Sequence, residues 1–521
     1  MSQTVPSAFA AAVSKYGSHT AVIDESGGQL SFVELDAQRL LAAQALIALG
    51  VRPGERVAIW AQNCSEWIVA GLAIHSVGAA VVPVNTRGRG PEVAYVLERS
   101  GARVLFCAGR FLDQHYPTLL AAHRPASLEH LIVLRDAQPG DFSWKDFLAR
   151  AGEVPAQQVR ERAAAVKPED LMDVLFTSGT TGLPKGVMTA HGQNLRLIAE
   201  WSARMGLSPA DRYLVANPFF HSFGYKFGWL VGLLAGCTIL PHAVFDARAI
   251  LQRVATERVS VLPGPPTLFI SLLNDPDRAR FDLSSLRATI TGAATIAPSL
   301  IERIRSELGF RIVLTAYGLT ESCGMVTVCD PSDDAETIAL TSGRAVPGIE
   351  VRCVDADGKP VPAGESGEIV FRGYNVMLGY LDDPKATAET IDTQGWLHTG
   401  DIGNLDARGN LRITDRLKDM YITGGFNCYP AEIERIIAAH PAVAQVSVIG
   451  VPDERMGEVG KAYLVLRPDQ TLDTKAFAGW CRDNMSNYKV PRTVEVVGSL
   501  PTNASGKVQK FQLRNSAKAT A

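Results

Sequence analysis

Short apolar runs alternate with amphipathic helical patterns along most of the chain, and few folds accommodate that alternation. Strand patterns at residues 56–61 and 79–84 flank a helical pattern at residues 66–74, and the same order returns between residues 260 and 315. A strand, a covering helix and a second strand form the unit of a parallel sheet. We therefore predict an α/β fold whose parallel sheets carry helices on both faces.

Local signals refine this prediction near the N-terminus. Ser31 followed by Glu34 is a capping box, which predicts a helix that begins there and stops at Gly50. Residues 19–32 carry a Ser-Gly-Gly turn between two short strand patterns and predict a hairpin. The longest apolar stretch, residues 67–84, is interrupted by polar and small residues, so it predicts a buried helix and a strand instead of a membrane span.

The pattern changes twice in the last third of the chain. Short strands with tight turns run from about residue 345 to residue 415 and predict a small β subdomain. A compact α/β pattern then returns. We predict an N-terminal domain at residues 1–415, which includes that subdomain, and a small α+β C-terminal domain at residues 416–521. The last residues, 516–521, lack large apolar side chains and predict a frayed end.

Composition excludes several classes of protein. The 521 residues include 51 Lys and Arg against 54 Asp and Glu, and the formal charge of −3 argues against a nucleic-acid binder that relies on neutralising phosphates. Eight cysteines are scattered without a CxxC pair, so the spacing of a zinc site or a thioredoxin-like motif is missing. With no signal-peptide pattern in the first residues, we expect a cytoplasmic protein with reduced thiols.

Residues 176–186 (FTSGTTGLPKG) carry the sharpest local signal. A strand pattern runs into consecutive small and hydroxyl residues, and Lys185 follows. Small residues let backbone N–H groups approach a phosphate closely, hydroxyls add donors, and the lysine adds positive charge. The segment differs from the common GxxxxGK[ST] loop because Gly186 follows the lysine. A phosphate-binding loop and a flexible surface loop both fit these residues taken alone.

Residues 316–321 (AYGLTE) directly follow another predicted strand. In an open α/β sheet, ligands gather at the carboxyl ends of the strands. At such a place Glu321 could hold a divalent cation, Thr320 a phosphate group, and Tyr317 an aromatic base. Taken alone, the segment also fits an ordinary strand-to-helix turn with a capping threonine.

Three later segments add to these two. Residues 395–401 (GWLHTGD) end at Asp401, whose carboxylate could accept two hydrogen bonds from ribose hydroxyls. Residues 415–434 place charged residues before a short strand, a Gly-Gly pair and a helix start. Residues 503–507 (NASGK) put Lys507 on a turn of small residues. Each of the three also fits a surface turn or hairpin when it is taken alone.

Together and in order, these five segments resemble those of the adenylate-forming enzymes, which include acyl-CoA synthetases, the adenylation domains of peptide synthetases and beetle luciferase. The resemblance runs from about residue 10 to residue 512. Residues 218–226, 262–266 and 314–321 look like those of bacterial acid–CoA ligases, in particular of ligases for the hydrindane-propanoate fragment left from steroid rings C and D. The resemblance implies a large domain that binds ATP and a carboxylic acid, followed by a small mobile domain.

It also implies roles for individual residues. Thr320 would contact phosphate, Glu321 would hold Mg²⁺, and Lys418 would be the hinge between the domains. Lys507 would contact both the reacting carboxylate and the α-phosphate. The other implied contacts are Thr177, Ser178, Gly179, Thr180, Thr181, Gly182 and Lys185 for the phosphates; Gly292, Ala293, Ala294 and Tyr317 for adenine; Asp401 and Arg416 for the ribose; and Gly424 and Gly425 for the pantetheine arm of CoA.

In that family the reaction has two steps. The carboxylate attacks the α-phosphate of ATP to give an acyl-adenylate and pyrophosphate, and the CoA thiol then displaces AMP. No protein nucleophile is needed, in agreement with a sequence that has no GxSxG elbow. Positioning and stabilisation of charge on the phosphate would supply the catalysis. The C-terminal domain would rotate between the steps, removing Lys507 and presenting the face of Gly424 and Gly425.

The resemblance places acid selectivity in the aromatic segment around Phe219, which would form part of an apolar wall. His221 either approaches the carboxylate as a catalytic residue or is a hydrogen-bonded core histidine. Lys226 either reaches an oxygen on the distal part of the acid or points outward to solvent, and we favour the second interpretation. The predicted acid-binding residues are Phe219, His221, Phe223, Gly224, Lys226, Gly264, Gly292 and Gly318.

The leading hypothesis is an ATP-dependent acid–CoA ligase with Lys507, Glu321, Thr320 and His221 as catalytic residues and with ATP, Mg²⁺ and CoA as cofactors. An amide-forming ligase that passes the acyl-adenylate to an amine is the alternative, and the sequence barely separates the two. A non-catalytic nucleotide-binding regulator is disfavoured because none of the charged motif residues is replaced. A carrier-loading domain is disfavoured because no carrier segment follows Lys507. A homodimer stays open, since dimers occur in the family and nothing in the sequence decides it.

Overall fold

The computed structural model describes residues 4–177, 184–292, 296, 298–416, 419–423, 426–453, 456–485, 487–502 and 508–519. Its strands are β1 Thr20–Ile23, β2 Gln29–Ser31, β3 Arg56–Trp60, β4 Ala80–Pro83, β5 Val104–Cys107, β6 Arg110–Phe111, β7 Gln114–His115, β8 His130–Val133, β9 Phe142–Ser143, β10 Leu171–Thr177, β11 Lys185–Ala190, β12 Arg212–Val215, β13 Thr238–Pro241, β14 Ala288–Thr291, β15 Ile312–Tyr317, β16 Thr327–Val328, β17 Arg344–Ala345, β18 Ile349–Val354, β19 Gly367–Gly373, β20 Gly379–Tyr380, β21 Leu397–Leu405, β22 Leu411–Arg416, β23 Tyr421–Thr423, β24 Phe426–Cys428, β25 Val443–Asp453, β26 Gly457–Leu466 and β27 Thr493–Val496.

Its helices are α1 Val5–Tyr16, α2 Phe32–Ala48, α3 Ser65–Ser76, α4 Gly90–Ser100, α5 Tyr116–Ala121, α6 Trp144–Ala149, α7 Ala156–Ala165, α8 His191–Met205, α9 Ser222–Gly224, α10 Val231–Ala235, α11 Ala247–Glu257, α12 Pro266–Asn274, α13 Pro298–Leu308, α14 Ala335–Leu340, α15 Pro384–Thr390, α16 Pro430–Ile437, α17 Thr474–Asn484 and α18 Lys510–Ala519. A π-helix at Tyr225–Leu230 and 3₁₀ turns at Arg150–Glu153, Arg278–Arg280 and Thr320–Ser322 are also present.

The largest sheet has the strand order β20-β11-β10-β4-β3-β5-β8-β9. From β10 to β9 the neighbouring strands pair in parallel, whereas β10, β11 and β20 pair antiparallel. The strands predicted at residues 56–61 and 79–84 are β3 and β4, and β4 is buried along its whole length. Burial on both faces is what a parallel sheet with helices on either side requires.

A second region of sheet consists of two sets of four strands, β12-β13-β1-β2 and β14-β15-β16-β17. Val261 joins them through single parallel bridges to Tyr213 and Ala288. The predicted strand at residues 260–263 is therefore wrong beyond this one bridge. Pro263 explains the difference, because a proline has no N–H to donate to the next step of a ladder.

The β subdomain is an antiparallel sheet with the order β18-β19-β21-β22. In the C-terminal region, β24-β23-β26-β25 form a mixed sheet in which β27 pairs in parallel with β26. The frayed end predicted at residues 516–521 is wrong as far as the structure describes it, because α18 continues to Ala519. Leu513 is buried in a cluster with Leu500 and Tyr463, so apolar packing holds this helix.

Separate apolar cores underlie this arrangement. One cluster of buried residues extends from Val5 to Leu411, whereas the clusters around Tyr421 and Ile449 contain residues that lie after the β subdomain. The predicted fold class is confirmed: a large N-terminal domain of α/β sheets with a β subdomain, followed by a small α+β domain. The boundary between residues 415 and 416 stays a prediction.

The capping box predicted near the N-terminus is confirmed. The backbone N–H of Ser31 donates to Glu34 Oε2 over 2.8 Å, and the backbone N–H of Glu34 donates to Ser31 Oγ over 3.3 Å. Gly50 follows the end of α2 with φ of +79°, a left-handed conformation that a residue with a side chain rarely adopts. Both ends of this helix were thus readable in the sequence.

The apolar residues 67–84 form a buried helix and strand, α3 and β4, as predicted. Within the described residues, no helix combines the length and apolarity needed to cross a membrane. All eight cysteines are free and buried. Burial raises the pKa of Cys353 and of Cys481 to about 11 and that of Cys323 to about 12, which identifies them as structural thiols.

Candidate active site

The segment predicted to bind phosphates connects the two strands of a hairpin, β10 and β11, which we call the phosphate-loop hairpin. Thr177 ends β10 and Lys185 begins β11, and the two residues are register partners. Because β10 runs parallel to β4, this end of the hairpin lies at the carboxyl edge of the sheet, where ligands gather in α/β folds. The predicted residues of the loop itself, Ser178, Gly179, Thr180, Thr181 and Gly182, lie outside the described residues.

Helix α4 braces the C-terminal end of this loop. The hydroxyl of Tyr95 donates to the carbonyl oxygen of Pro184 over 3.0 Å. The Tyr95 ring also packs edge-on against Phe176, with centroids 6.5 Å apart. One side chain therefore contacts both sides of the hairpin end. Sequence reasoning missed Tyr95, because no pattern links α4 to a loop that lies so much later in the chain.

Lys185 and Glu321, the predicted cation and metal ligand, meet on either side of Tyr380. The Tyr380 hydroxyl donates to Glu321 Oε1 over 2.9 Å, and the ammonium of Lys185 lies 5.0 Å from the centre of the Tyr380 ring. Burial raises the pKa of the Tyr380 hydroxyl, and the Glu321 carboxylate raises it further, so this hydroxyl stays protonated and acts as a donor. The arrangement places a positive and a negative group beside the phosphate-loop hairpin.

Sequence reasoning also missed Tyr380. It lies on β20, which has two residues and pairs with β11 at Val187. A Gly-Tyr pair without a longer strand pattern carries no signal of that pairing. The observation that finds Tyr380 is the register between two strands that are far apart in sequence.

Thr320 and Glu321 lie on a 3₁₀ turn just after β15. Gly318 makes this turn possible, because a Cβ atom there would lie 2.3 Å from the carbonyl oxygen of Gly324. The Leu319 N–H donates to Ser322 Oγ over 2.9 Å and closes the turn. The backbone thus presents Thr320 and the half-buried Glu321 at the carboxyl end of β15.

Tyr317 and Asp401, predicted to contact the nucleoside, touch each other. The Tyr317 hydroxyl donates to Asp401 Oδ2 over 2.6 Å, and both residues are buried. Asp401 is the register partner of Arg416, so β21 and β22 bring together the two residues predicted for the ribose. Two segments that are separated by 84 residues therefore converge at one place.

Three residues of the segment predicted to bind the acid, Phe219, His221 and Phe223, differ in how much of each is exposed. His221 is exposed, so its interpretation as a core histidine is wrong; its Nδ1 accepts from the backbone N–H of Phe223 over 3.3 Å. Phe219 is fully buried between Trp67 and Trp229 and supports the segment from within the core. Only a half-buried ring such as Phe223, which packs against Trp201, has a face left for a ligand.

The favoured interpretation of Lys226, a side chain that points outward to solvent, is wrong, because the residue is 0% exposed. Its ammonium pairs with Asp173 Oδ2 at 3.1 Å. Of the predicted glycines of this site, Gly224 has a steric reason to be glycine, because a Cβ there would lie 2.3 Å from two carbonyl oxygens. A Cβ on Gly264 would lie 2.7 Å from a methyl group of Leu268, the flexible end of a side chain. A Cβ on Gly292 would lie 3.2 Å from the Ala316 carbonyl oxygen.

Several predicted residues cannot be assigned a geometry. Lys507, Lys418, Gly424, Gly425, Ala293 and Ala294 lie outside the described residues, and so does the side chain of Arg416. Their roles stay predictions.

The donor set fits one kind of metal ion. No group of three or more His, Cys, Asp or Glu side chains with metal-binding geometry occurs in the described part of the chain. Mg²⁺ is held by one or two protein carboxylates together with phosphate oxygens and water. Glu321 beside the phosphate-loop hairpin fits that requirement, whereas zinc would need more protein ligands.

Comparison with known proteins identifies the class of enzyme that this fold and site define. Residues 9–381 match the family model described as AMP-binding enzyme, and residues 432–507 match the AMP-binding enzyme C-terminal domain. The chain belongs to this family, and the resemblance predicted from the five segments is confirmed.

Two curated relatives are similar over nearly their whole length. The chain is 51% identical over 513 residues to the 3-[(3aS,4S,7aS)-7a-methyl-1,5-dioxo-octahydro-1H-inden-4-yl]propanoyl:CoA ligase of Mycobacterium tuberculosis, with 98% of each chain covered. It is 50% identical over 521 residues to the enzyme of the same name from Rhodococcus jostii, with 99% of each covered.

Solved structures share the architecture. The anthranilate CoA ligase AuaEII in complex with anthranoyl-AMP superposes with a TM-score of 0.90 at 28% identity, over 99% of this chain and 98% of that one. The amide bond synthetase McbA from Marinactinospora thermotolerans superposes with a TM-score of 0.86 at 27% identity, over 98% of this chain and 99% of that one.

Proposed function

We propose that this enzyme activates a bicyclic hydrindane-type propanoic acid and transfers its acyl group to CoA. Its reaction class is that of an ATP-dependent, AMP-forming acid–CoA ligase. The observation that carries the choice of acid is the identity of about half of all residues, over almost the whole chain, with two ligases for the same dioxo-hydrindane acid. More distant relatives include a feruloyl-CoA synthase at 36% identity, which fits the reaction class but not the acid.

The chemistry consists of two displacements. In the first, a carboxylate oxygen attacks the α-phosphorus of ATP, the bond to the β-phosphate oxygen breaks, and pyrophosphate leaves. In the second, the CoA thiol attacks the acyl carbon and loses its proton, and AMP leaves with the electron pair of the broken bond. The first step makes the second possible, because AMP is a far better leaving group than oxide.

The described residues support the first step by placing charge. Lys185 supplies a cation beside the loop predicted to wrap the phosphates, and Tyr380 contacts both Lys185 and Glu321. Mg²⁺ bound at Glu321 would neutralise the charge of the departing pyrophosphate. The hydrogen bond from the Tyr317 hydroxyl to Asp401 holds together the two side chains proposed to face adenine and ribose. Such fixed groups act by positioning and by electrostatic preorganisation.

The segment around Phe223 supports an apolar acid. Its ring is half-buried and rests on Trp201, so the exposed part offers an apolar face to a fused ring system. His221, which is exposed two residues earlier, could reach the carboxylate end of such an acid. The proposal places the reaction in the cytoplasm, and eight free, buried thiols agree with a reducing compartment.

The test is a screen for pyrophosphate release over fatty, aryl and hydrindane acids, run with ATP and Mg²⁺ and with or without CoA. We expect the hydrindane acid to give the highest kcat/KM and to yield AMP and a thioester only when CoA is present. A fatty or aryl acid with a higher kcat/KM would contradict the choice of acid. If none of the acids supports the consumption of ATP, the reaction class is wrong.

The amide-forming alternative shares the fold, as the likeness to an amide bond synthetase illustrates. A second arm of the screen therefore replaces CoA with a set of amines and amino acids. We expect at most slow, non-selective amide formation, since the two hydrindane-acid relatives and the feruloyl-CoA synthase named above are CoA ligases or synthetases. An amide product formed faster than the thioester would favour the alternative.

A further inference from the structure

Lys226 forms an ion pair in the interior of the N-terminal domain. The Lys226 and Asp173 side chains are 1% and 0% exposed, and Lys226 Nζ lies 3.1 Å from Asp173 Oδ2. The same ammonium donates to Thr189 Oγ1 over 3.1 Å. Buried charges of this kind persist only where their partners are well placed.

Thr189 is the centre of this polar cluster. Its hydroxyl donates to Asp173 Oδ1 over 2.7 Å and accepts from Lys226 and from Asn194 Nδ2, the latter over 2.8 Å. One donor and two acceptor positions are all that a hydroxyl has, so Thr189 is fully used. The cluster therefore defines one orientation for each of its members.

The cluster is built on the base of the phosphate-loop hairpin. Asp173 and Thr189 are register partners on β10 and β11. Asp173 precedes Thr177 by four residues and Thr189 follows Lys185 by four, so the pair lies about 13 Å below the loop along the strands. Lys226 thus contacts both strands of the hairpin that presents the phosphate loop.

The backbone of Lys226 lies at the end of the segment predicted to bind the acid, residues 219–226, which we call the acid-binding segment. Lys226 is the second residue of the π-helix that directly follows Gly224, and π-helical turns are frequent at functional sites. Its neighbour Tyr225 is anchored by a 2.6 Å hydrogen bond between its hydroxyl and His75 Nε2 on α3. Two adjacent residues at the end of the acid-binding segment are therefore fixed to other elements of the domain.

This segment also packs against the turn that carries Glu321. A Cβ on Gly324 would lie 2.6 Å from the Phe227 ring and 3.4 Å from Ser222 Oγ, so no side chain fits between them. A shift of the acid-binding segment would therefore displace both the phosphate-loop hairpin and the turn that carries Glu321.

We propose that Lys226 is a positioning residue: through Asp173 and Thr189 it fixes the acid-binding segment to the phosphate-loop hairpin and so aligns the acid's carboxylate with the α-phosphate. The inference rests on the proposed reaction. It differs from direct recognition of the acid, because the contacts of Lys226 described above all point into the protein. A positioning residue of this kind affects adenylation of every acid alike and leaves the attack of CoA on a preformed acyl-adenylate largely intact.

The first experiment compares K226M, D173N and the double variant K226M/D173N. Each single variant leaves one buried charge unpaired and should lower the melting temperature. The double variant removes both charges, so its melting temperature should return most of the way to that of wild type. Adenylation, measured by pyrophosphate release, should stay at least about tenfold below wild type in the double variant. Thioester formation from supplied acyl-adenylate should stay within about threefold.

Three controls make the result specific. T189V keeps the ion pair and the side-chain shape but removes the shared hydroxyl; it should lower adenylation and spare the thioester step even if the double variant does not fold. D211N breaks a different pair, the partly buried one between Asp211 and Arg287, and should lower the melting temperature while leaving the ratio of the two half-reactions unchanged. All variants are assayed with the acid that wild type uses best and with further acids that wild type accepts, with and without ring ketones, so a wrong acid assignment appears in wild type and not as a variant effect.

Two results would overturn the inference. Recovery of adenylation together with the melting temperature in K226M/D173N would make the pair a purely structural one. A loss confined to acids that carry ring ketones, with ketone-free acids unaffected, would make Lys226 a direct ligand of the substrate. The inference would also be wrong if the ratio of the adenylation rate to the rate of thioester formation in T189V equals that of wild type.

Discussion

Tyr380 contacts two charged groups of opposite sign, each through a different part of its side chain. Its hydroxyl binds Glu321, and its ring face lies under Lys185. A hydrogen bond to a carboxylate is directional, whereas attraction between an ammonium and an aromatic face depends on the ring alone and is worth about 0.5–1 kcal/mol at partly exposed sites. The two contacts can therefore be removed one at a time.

Y380F should raise the Mg²⁺ concentration needed for half-maximal adenylation by about tenfold, because an outer-shell partner of a metal ligand is lost. The ATP KM should stay within about twofold, since the ring that contacts Lys185 remains. Y380L removes both contacts and should raise the ATP KM as well. Pyrophosphate release measured against Mg²⁺ and against ATP separates these effects, and an unchanged Mg²⁺ dependence in Y380F would contradict the role given to the hydroxyl.

The contrast between Lys226 and Tyr317 shows what a sequence can disclose about single residues. Tyr317 lies in a short motif directly after a strand, and Asp401, predicted to contact the ribose of the same nucleoside, touches it. Lys226 lies in an apolar segment, and its partner Asp173 carries no motif. Pairing between residues that are distant in sequence decides whether a charged side chain faces inward, and the spacing of residues does not encode that pairing.

At the scale of elements, the turn after β15 depends on backbone contact. G318A would place a methyl group 2.3 Å from the Gly324 carbonyl oxygen, so the turn that carries Glu321 has to move. We expect a loss of stability of about 1–3 kcal/mol, as for other overpacked sites. Adenylation should fall by at least about tenfold, because the metal ligand is displaced. Thermal unfolding and pyrophosphate release measure the two effects.

G479A is the matched control. Gly479 lies inside α17, and a methyl group there meets open space. Alanine in a helix interior is more stable than glycine by about 0.5–1 kcal/mol. The melting temperature should therefore rise slightly and both half-reactions should keep their rates. A similar loss in G479A and G318A would show that the effect of G318A is not specific to the turn.

Two neighbouring buried histidines, His75 on α3 and His191 at the start of α8, make stability depend on pH; their ring centroids lie 5.2 Å apart. Burial lowers the pKa of His191 from 6.5 to about 4, and burial with the nearby charges of His191 and Lys226 holds the pKa of His75 well below its usual range. Below pH 6.5 the unfolded chain takes up protons that the folded chain refuses, so stability is present above that pH and falls as the pH decreases.

H191Q should weaken this dependence. At pH 5 the protonation of His191 in the unfolded chain lowers the free energy of unfolding by about 2 kcal/mol. The variant lacks this histidine, so between pH 7 and pH 5 it should lose about that much less stability than wild type. Urea unfolding followed by tryptophan fluorescence at several pH values measures the slope. Equal slopes for both proteins would mean that His191 does not stay neutral in the folded state.

At the scale of the whole molecule, the two half-reactions should be separable by mutation. K507A should abolish adenylation yet leave thioester formation from supplied acyl-adenylate largely intact, since the loss of one preorganised donor costs about 3–4 kcal/mol in the step that uses it. G425L should do the reverse, because a side chain would obstruct the pantetheine arm. Equal loss of both steps in K507A, or unchanged CoA turnover in G425L, would reject this division.

Much of the architecture could be predicted because its signals are local. Strand and helix periodicity, the capping box at Ser31 and the turn residues of the β subdomain each act within a few residues. What escaped prediction depends on contacts across the chain: the pairing of β20 with β11, the single bridge at Val261 and the packing of α18 on Leu500. The five motifs identified the family for a related reason, since chemistry fixes residue types within each short segment.

The burial of all eight cysteines has a practical consequence. A thiol reacts with aromatic disulfide reagents as its thiolate, and these side chains are both shielded and held protonated at neutral pH. The folded protein should therefore give almost no colour with such a reagent. Consumption of the free coenzyme thiol can then be read from sampled reaction mixtures without correction, even at enzyme concentrations close to that of the coenzyme.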